Sequence, residues 1–312
     1  MTAPADVMGE PLHGIIPPLV TPLSGHDELD AEGLDRLVEH VIRGDVSTLF
    51  VLGTTGEGPG LSHRLRKEMV SETCRAVAGR LPVLVCISDT VFEESVELAE
   101  HAAACGADAV VASTPYYFRA GQPELVDYFT LLSQEAPLPL YLYNMPAMTK
   151  LVIQPETVAR LMEIPSIVGI KDSSGELDYF ACLIELGRSR RDWSVVMGPE
   201  ELTSQAVRMG AHGGVNGGAN LFPALHVANH RAAAAGDVVE AERLDRVVKE
   251  VAAALYTVGS HPSSMLKGLK CALSLRGICG DMMAHPFESF HARERALLGE
   301  RLEALIEEHQ LS

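Results

Sequence analysis

Short apolar runs rich in Val, Ile and Leu, bounded by Gly, Pro or Asp, alternate along the chain with longer stretches in which apolar residues recur every three or four positions. A continuous apolar run suits a strand buried on both faces, and the 3.6-residue rhythm suits a helix laid over it. Their repeated alternation predicts a parallel sheet of βαβ units. Eight strand-like runs fall at 14–20, 48–52, 83–87, 109–113, 138–143, 167–171, 194–197 and 213–215. Helical rhythm fills the intervals at 31–42, 63–78, 91–105, 124–135, 155–162, 178–186 and 202–209. In the first helix Leu34, Leu37, Val38, Val41 and Ile42 form one stripe, with Asp30 in a capping position and Gly44 at the end. From Pro223 onward no strand pattern returns, and helical stretches run over 224–234, 238–257, 263–275 and 289–309.

Eight β/α repeats in about 230 residues match a (β/α)8 TIM barrel in number and spacing. A doubly wound sheet more often has fewer strands and a glycine-rich first turn, and the first turn here, Thr21 to Gly25, carries no GxGxxG. The expected organisation is a catalytic barrel over 10–230 and a C-terminal helical extension over 231–312, packed on the barrel or forming a subunit contact.

Composition narrows the function classes. With 47% hydrophobic and 21% charged residues among 312, the chain has the make-up of a packed globular protein. A formal charge of −17 disfavours nucleic acid and anionic membrane surfaces as partners. No stretch of ~18 uninterrupted apolar residues offers a membrane span, and Met1 to His13 has neither the basic nor the apolar region of a targeting signal, so a cytoplasmic location is expected. The six cysteines include no CxxC pair and read as buried thiols in a reducing compartment. The twelve histidines are dispersed, with no HxH or HExxH spacing, so neither a metal nor another cofactor is expected.

In a barrel of this kind, reactive side chains at the C-terminal ends of strands are the functional candidates. The sixth strand ends in Lys171, where a partly desolvated amine can attack a carbonyl carbon as a Schiff-base nucleophile; a solvated lysine at a strand end is the plainer alternative. The fifth ends in Tyr143-Asn-Met-Pro146, placing a phenol on the adjacent strand, either as a proton carrier or as a packed aromatic. The second ends in Leu52-Gly-Thr-Thr-Gly-Glu-Gly58, a tight turn whose amides and hydroxyls suit a small carboxylate, if it is not simply structural. Glycine-rich stretches also follow strands seven (Met197-Gly-Pro-Glu200) and eight (Gly213 to Asn220), where many barrels bind phosphate; the latter loop holds no basic residue.

Gly53-Thr-Thr-Gly-Glu57, Pro115-Tyr-Tyr117, Tyr143-Asn-Met-Pro146, Gly169-Ile-Lys-Asp172 and Gly213-Gly-Val215, in that order and spacing, resemble the dihydrodipicolinate synthase/N-acetylneuraminate lyase superfamily of class I, pyruvate-type aldolases over residues 12 to 300. The resemblance implies a barrel with a helical extension, assembled as a homotetramer that is a dimer of dimers. It implies that Lys171 is the Schiff-base lysine and Tyr143 the proton-shuttling tyrosine, that Thr54 and Thr55, with Gly53, hold the 2-oxo acid carboxylate and relay protons, and that Tyr117 crosses into the neighbouring subunit's site. Gly198 and Val215 match backbone contacts to pyruvate, and Ser173, Glu200 and Asn216 are candidates for meeting substrate hydroxyls.

One position departs from the synthase branch. The arginine that binds the second substrate's carboxylate there is replaced here by Met148, and a thioether neither donates hydrogen bonds nor balances charge. Lys150, two residues on, is a substitute of different reach and direction. The expectation is therefore a Schiff-base lyase, aldolase or dehydratase, acting on a 2-oxo acid such as a 2-keto-3-deoxy sugar acid or 4-hydroxy-2-oxo acid, with pyruvate as product or co-substrate. The alternatives are 4-hydroxy-tetrahydrodipicolinate synthase, an N-acetylneuraminate lyase-like activity, a phosphate-binding isomerase, and a non-catalytic 2-oxo acid binding protein. The last is disfavoured because binding alone requires no imine-forming pair.

Overall fold

The computed structural model describes residues 11–311. The first ten residues, which hold most of the segment read for targeting, and the outer limits of the expected ranges at 10 and 312 lie outside the described residues.

Eight strands form one parallel sheet: β1 (Gly14–Ile15), β2 (Leu49–Val51), β3 (Val83–Cys86), β4 (Ala109–Ser113), β5 (Leu140–Asn144), β6 (Ile167–Asp172), β7 (Ser194–Met197) and β8 (Gly213–Gly214). Each pairs with its sequence neighbours, and β8 pairs back onto β1. The ring closes between β1 and β2, where the Phe50 amide donates to the Pro17 carbonyl at 3.1 Å and the Leu19 amide to the Phe50 carbonyl at 2.8 Å. This is the expected TIM barrel. Its first strand is shorter than the apolar run suggests, because Pro17 and Pro18 have no N–H to offer a ladder.

Between strands lie α1 (Ala31–Arg43), α2 (His63–Val77), α3 (Phe92–Ala104), α4 (Gln122–Glu135), α5 (Pro155–Leu161), α6 (Leu177–Gly187) and α7 (Thr203–Met209). The stripe read in α1 is the buried face, with Ile42 half-buried at its edge, and Asp30 accepts from the Gly33 amide at 2.8 Å. Two local features were not expected. Leu23–Gly25 pairs with Glu28–Leu29 in a small antiparallel hairpin beyond β1, and Pro146–Thr149 makes one helical turn after β5.

The C-terminal helices are α8 (Pro223–Ala234), α9 (Val238–Tyr256), α10 (Ser264–Leu275) and α11 (Ala292–His309). The boundary expected at residue 230 falls inside α8, which packs on α7 and against β1. The later helices pack on one another, and α10 sends a lysine into the barrel mouth. Lys270 is wholly buried; its Nζ donates to the Thr21 carbonyl at 2.9 Å and to Glu57 Oε1 at 2.7 Å. Glu57 Oε2 accepts from the Ala284 amide at 2.9 Å. Among the described residues no helix is long and apolar enough to cross a membrane.

Removing one partner of a buried pair strands the other charge. Lys270→Met is expected to destabilise the chain by ~3–5 kcal/mol, and Lys270→Met with Glu57→Gln to recover part of that loss, as read from denaturant midpoints.

Candidate active site

The barrel register sets the first relationship. Tyr143 on β5 is the Cα partner of Lys171 on β6, and Val196 on β7 is its partner on the other side. Adjacent parallel strands thus send a phenol and an amine from one level of the barrel. Lys171 is only 7% exposed, with Nζ 4.2 Å from the Tyr143 ring centroid and 5.0 Å from that of Phe50 on β2. The Tyr143 hydroxyl lies 3.3 Å from Thr54 Oγ1, so the turn after β2 reaches across the barrel end to meet β5.

That turn is built by close approach. A Cβ on Gly58 would lie 1.9 Å from the Leu52 carbonyl oxygen, so only glycine lets the chain fold back on itself there. The Glu57 amide donates to the Thr54 carbonyl and the Gly58 amide to the Gly53 carbonyl, while Thr21 Oγ1 donates to the Gly56 carbonyl at 2.7 Å. Among the described residues the amides of Thr54, Thr55 and Gly56 donate to no protein acceptor. Successive free N–H groups beside a buried amine are the donors a small carboxylate needs.

The far wall is formed by the ends of β6, β7 and β8. The Gly198 amide donates to the Asp172 carbonyl at 2.7 Å and the Val215 amide to the Met197 carbonyl at 2.7 Å. A Cβ on Gly198 would sit 1.9 Å from Ser173 Oγ, which places these two residues against each other. Asp172, next to the lysine, points the other way: Oδ1 accepts from Asn144 Nδ2 at 2.7 Å and from the Ser174 amide, and Oδ2 from Ser174 Oγ at 2.8 Å. Burial raises the Asp172 carboxyl above the usual aspartate range, against those donors. Asn144 and Asp172 tie β5 to β6 one residue beyond Tyr143 and Lys171. Both lie inside strand-end motifs that give their identity and not the direction of their side chains.

Not every expected residue joins the group. Glu200, a candidate for substrate hydroxyls, is instead buried, with Oε2 accepting from the Gly218 amide at 2.6 Å and Oε1 from the Tyr256 hydroxyl at 2.9 Å. Its carboxylate secures the β7 and β8 loops to α9. Asn216 is likewise buried, donating to Thr203 Oγ1 at 2.8 Å. Tyr117 stands apart in the single chain, 79% exposed and edge-on to Phe118, which is 80% exposed. Met148 is 59% exposed, and Lys150 turns its ammonium back onto the Ala147 carbonyl.

A family model, the Dihydrodipicolinate synthetase family, matches residues 11–305. The chain belongs to that family. A 4-hydroxy-tetrahydrodipicolinate synthase of Hyphomonas neptunium is 33% identical over 92% of this chain and 96% of its own length. A probable 2-dehydro-3-deoxy-D-pentonate aldolase of Escherichia coli, YjhH, is also 33% identical, over 81% of this chain and 85% of its own. Among solved structures, a dihydrodipicolinate synthase from Bacteroides thetaiotaomicron shares 54% identity at a TM-score of 0.93, covering 95% of this chain and all of that one. The protein YagE of Escherichia coli, solved with pyruvate, shares 27% identity at a TM-score of 0.88, over 94% of this chain and 98% of that one. As a dihydrodipicolinate synthetase family member, this chain is a class I, Schiff-base-forming lyase acting on a pyruvate-linked 2-oxo acid.

Burial also raises the Glu200 carboxyl above its ordinary 4.5, although the Gly218 amide and Tyr256 hydroxyl pull it down. The folded chain therefore holds this proton more tightly than the unfolded one. Stability contributed at Glu200 is full below about 4.5 and is lost as pH rises through the raised folded value. Glutamine keeps both hydrogen bonds, accepting from Gly218 and donating to the Tyr256 oxygen, and never ionises. The stability of Glu200→Gln relative to the parent is thus expected to increase as pH rises above about 4.5, measured by guanidinium unfolding at each pH.

Proposed function

We propose that this chain is a pyruvate-type aldolase or dehydratase of a 2-keto-3-deoxy sugar acid or a 4-hydroxy-2-oxo acid. The observation that carries the reading is the buried Lys171 amine beneath the Tyr143 ring, with the tyrosine hydroxyl in reach of Thr54. In this reading Lys171 Nζ attacks the C2 carbonyl and the carbinolamine loses water to give an imine. Tyr143, relayed by Thr54, carries the protons between substrate and intermediate. When the C3–C4 bond breaks, its electron pair flows into the imine to give an enamine, and the C4 hydroxyl loses its proton as the aldehyde leaves. Protonation at C3 and hydrolysis then release pyruvate and return the free lysine. The unpaired amides of Thr54, Thr55 and Gly56, with the Gly198 and Val215 backbones opposite, support a pocket for the 2-oxo acid carboxylate.

The choice of second substrate rests on Met148. On the segment after Tyr143 the exposed side chain is a neutral thioether and the nearby Lys150 is turned onto its own backbone, so this segment supplies no clamp for a second carboxylate. Synthase activity with pyruvate and aspartate semialdehyde is the second reading, favoured by the synthase names of the Hyphomonas and Bacteroides relatives. A homotetramer, or at least a pairing that covers Tyr117 and Phe118, is part of the proposal. Two adjacent exposed aromatic rings at the barrel mouth are what a second copy would bury.

Incubation with pyruvate and borohydride is expected to leave one reduced pyruvate adduct on Lys171, located by peptide mass spectrometry. An unmodified Lys171 overturns the lysine assignment. With a panel of 2-oxo acids assayed for pyruvate release, Tyr143→Phe is expected to lower kcat by roughly 10²-fold or more while the pyruvate adduct still forms. Aspartate semialdehyde consumption without turnover of any sugar acid would move the assignment to the synthase.

A further inference from the structure

The twelve histidines are scattered in sequence, but the fold brings two of them together. His26 sits at the tip of the hairpin beyond β1, and His285 lies in the segment between α10 and α11. Their rings stack with centroids 3.6 Å apart and planes 17° apart. His26 Nδ1 is 3.1 Å from the Met283 carbonyl oxygen. A carbonyl only accepts, so Nδ1 must carry the proton, and in the neutral ring Nε2 is left with its lone pair and no proton. This is the arrangement by which a backbone carbonyl orients a metal-binding histidine.

A carboxylate completes the group. Ligand atoms of His26, His285 and Glu288 all lie within 4.8 Å of one another. Two arginines of the surrounding segments are engaged elsewhere: Arg64 pairs with Asp27 and Glu68, and Arg295 with Asp281. Two imidazoles and a carboxylate are thus gathered at one point, with the two rings stacked side by side. Two imidazoles and one carboxylate suit a borderline divalent ion such as zinc, cobalt or nickel, whereas magnesium and calcium prefer all-oxygen shells.

We infer that His26, His285 and Glu288 form a binding site for a zinc-like divalent metal, with water filling the remaining positions. The rings must splay from their stack so that both lone pairs point at the ion. The site lies outside the imine chemistry, and its consequence is mechanical. It ties the hairpin to the segment whose Ala284 amide holds Glu57, and so to the turn carrying Thr54 and Thr55. The spacing of histidines along the sequence gives no sign of this cluster, because only the tertiary fold brings His26 to His285.

The test uses untagged protein, treated with chelator, dialysed, and titrated with zinc against a chromophoric competitor. One equivalent per chain is expected to bind, with an accompanying rise in Tm that magnesium does not produce. His285→Ala and Glu288→Gln are each expected to weaken binding by ~10-fold or more. Their pyruvate–borohydride adduct on Lys171 should stay at the parent level, which shows that these surface variants are folded. Absence of saturable zinc binding, or binding unchanged in a His26→Ala, His285→Ala double variant, overturns the inference.

Discussion

The buried contact between Glu57 and Lys270 is the constraint from which the rest of the mouth follows. Two opposite charges removed from water are tolerated only when geometry and extra hydrogen bonds satisfy both. Here the Thr21 carbonyl and the Ala284 amide do so. Four segments distant in sequence are thereby fixed at one point: the loop after β1, the turn after β2, α10, and the segment before α11. A barrel needs no such helix to close its sheet. The helical extension is tied to the same turn that carries Thr54 and Thr55, so the reactive geometry and the C-terminal packing share one contact.

A second constraint is the register of β5 against β6. Because side chains alternate along a strand, a one-residue slip would turn Lys171 or Tyr143 away from the barrel interior. Asn144 and Asp172, the residues immediately after the reactive pair, are themselves partnered in the ladder and hydrogen-bonded through their side chains. The pairing that sets Lys171 beside Tyr143 is thus held from both backbone and side chain. Lys171 Nζ lies over the two aromatic rings, and among the described residues no carboxylate forms an ion pair with it.

What could be read beforehand follows from the range of the forces involved. Apolar periodicity records which face each element buries, so all eight strands and the C-terminal helices were visible in the chain. Strand-end position makes Lys171, Tyr143 and the glycine turn candidates and leaves a plainer reading open for each; the family resemblance is what assigns them roles. Side-chain direction across long sequence gaps leaves no such trace. Nothing near Glu200 in sequence says that Tyr256 and Gly218 will occupy its carboxylate, and no spacing rule joins His26 to His285. The short first strand was legible in principle, since Pro17 and Pro18 announce missing donors. The exposure of Tyr117 and Phe118 belongs to a surface that the sequence of one chain does not describe.

The charge balance closes the argument. A chain at −17 is an unpromising host for anionic substrates if charge is counted globally, yet at physiological salt exposed charges more than ~8 Å away are largely screened. What matters is the sign of the groups at the mouth. Three carboxylates at the strand ends and turns of the mouth are each engaged by a different device. Glu57 is matched by Lys270, Asp172 is turned onto Asn144 and Ser174 with its carboxyl raised by burial, and Glu200 is buried with its carboxyl raised as well. With Glu57 paired to Lys270, Asp172 turned onto Asn144 and Ser174, and Glu200 held by Gly218 and Tyr256, Lys171 and, among the described residues, the unpaired amides of the Thr54–Gly56 turn remain to attract an anion. An acidic surface and a site for 2-oxo acids are therefore compatible, because the attraction is generated by a few oriented donors where low dielectric makes them count.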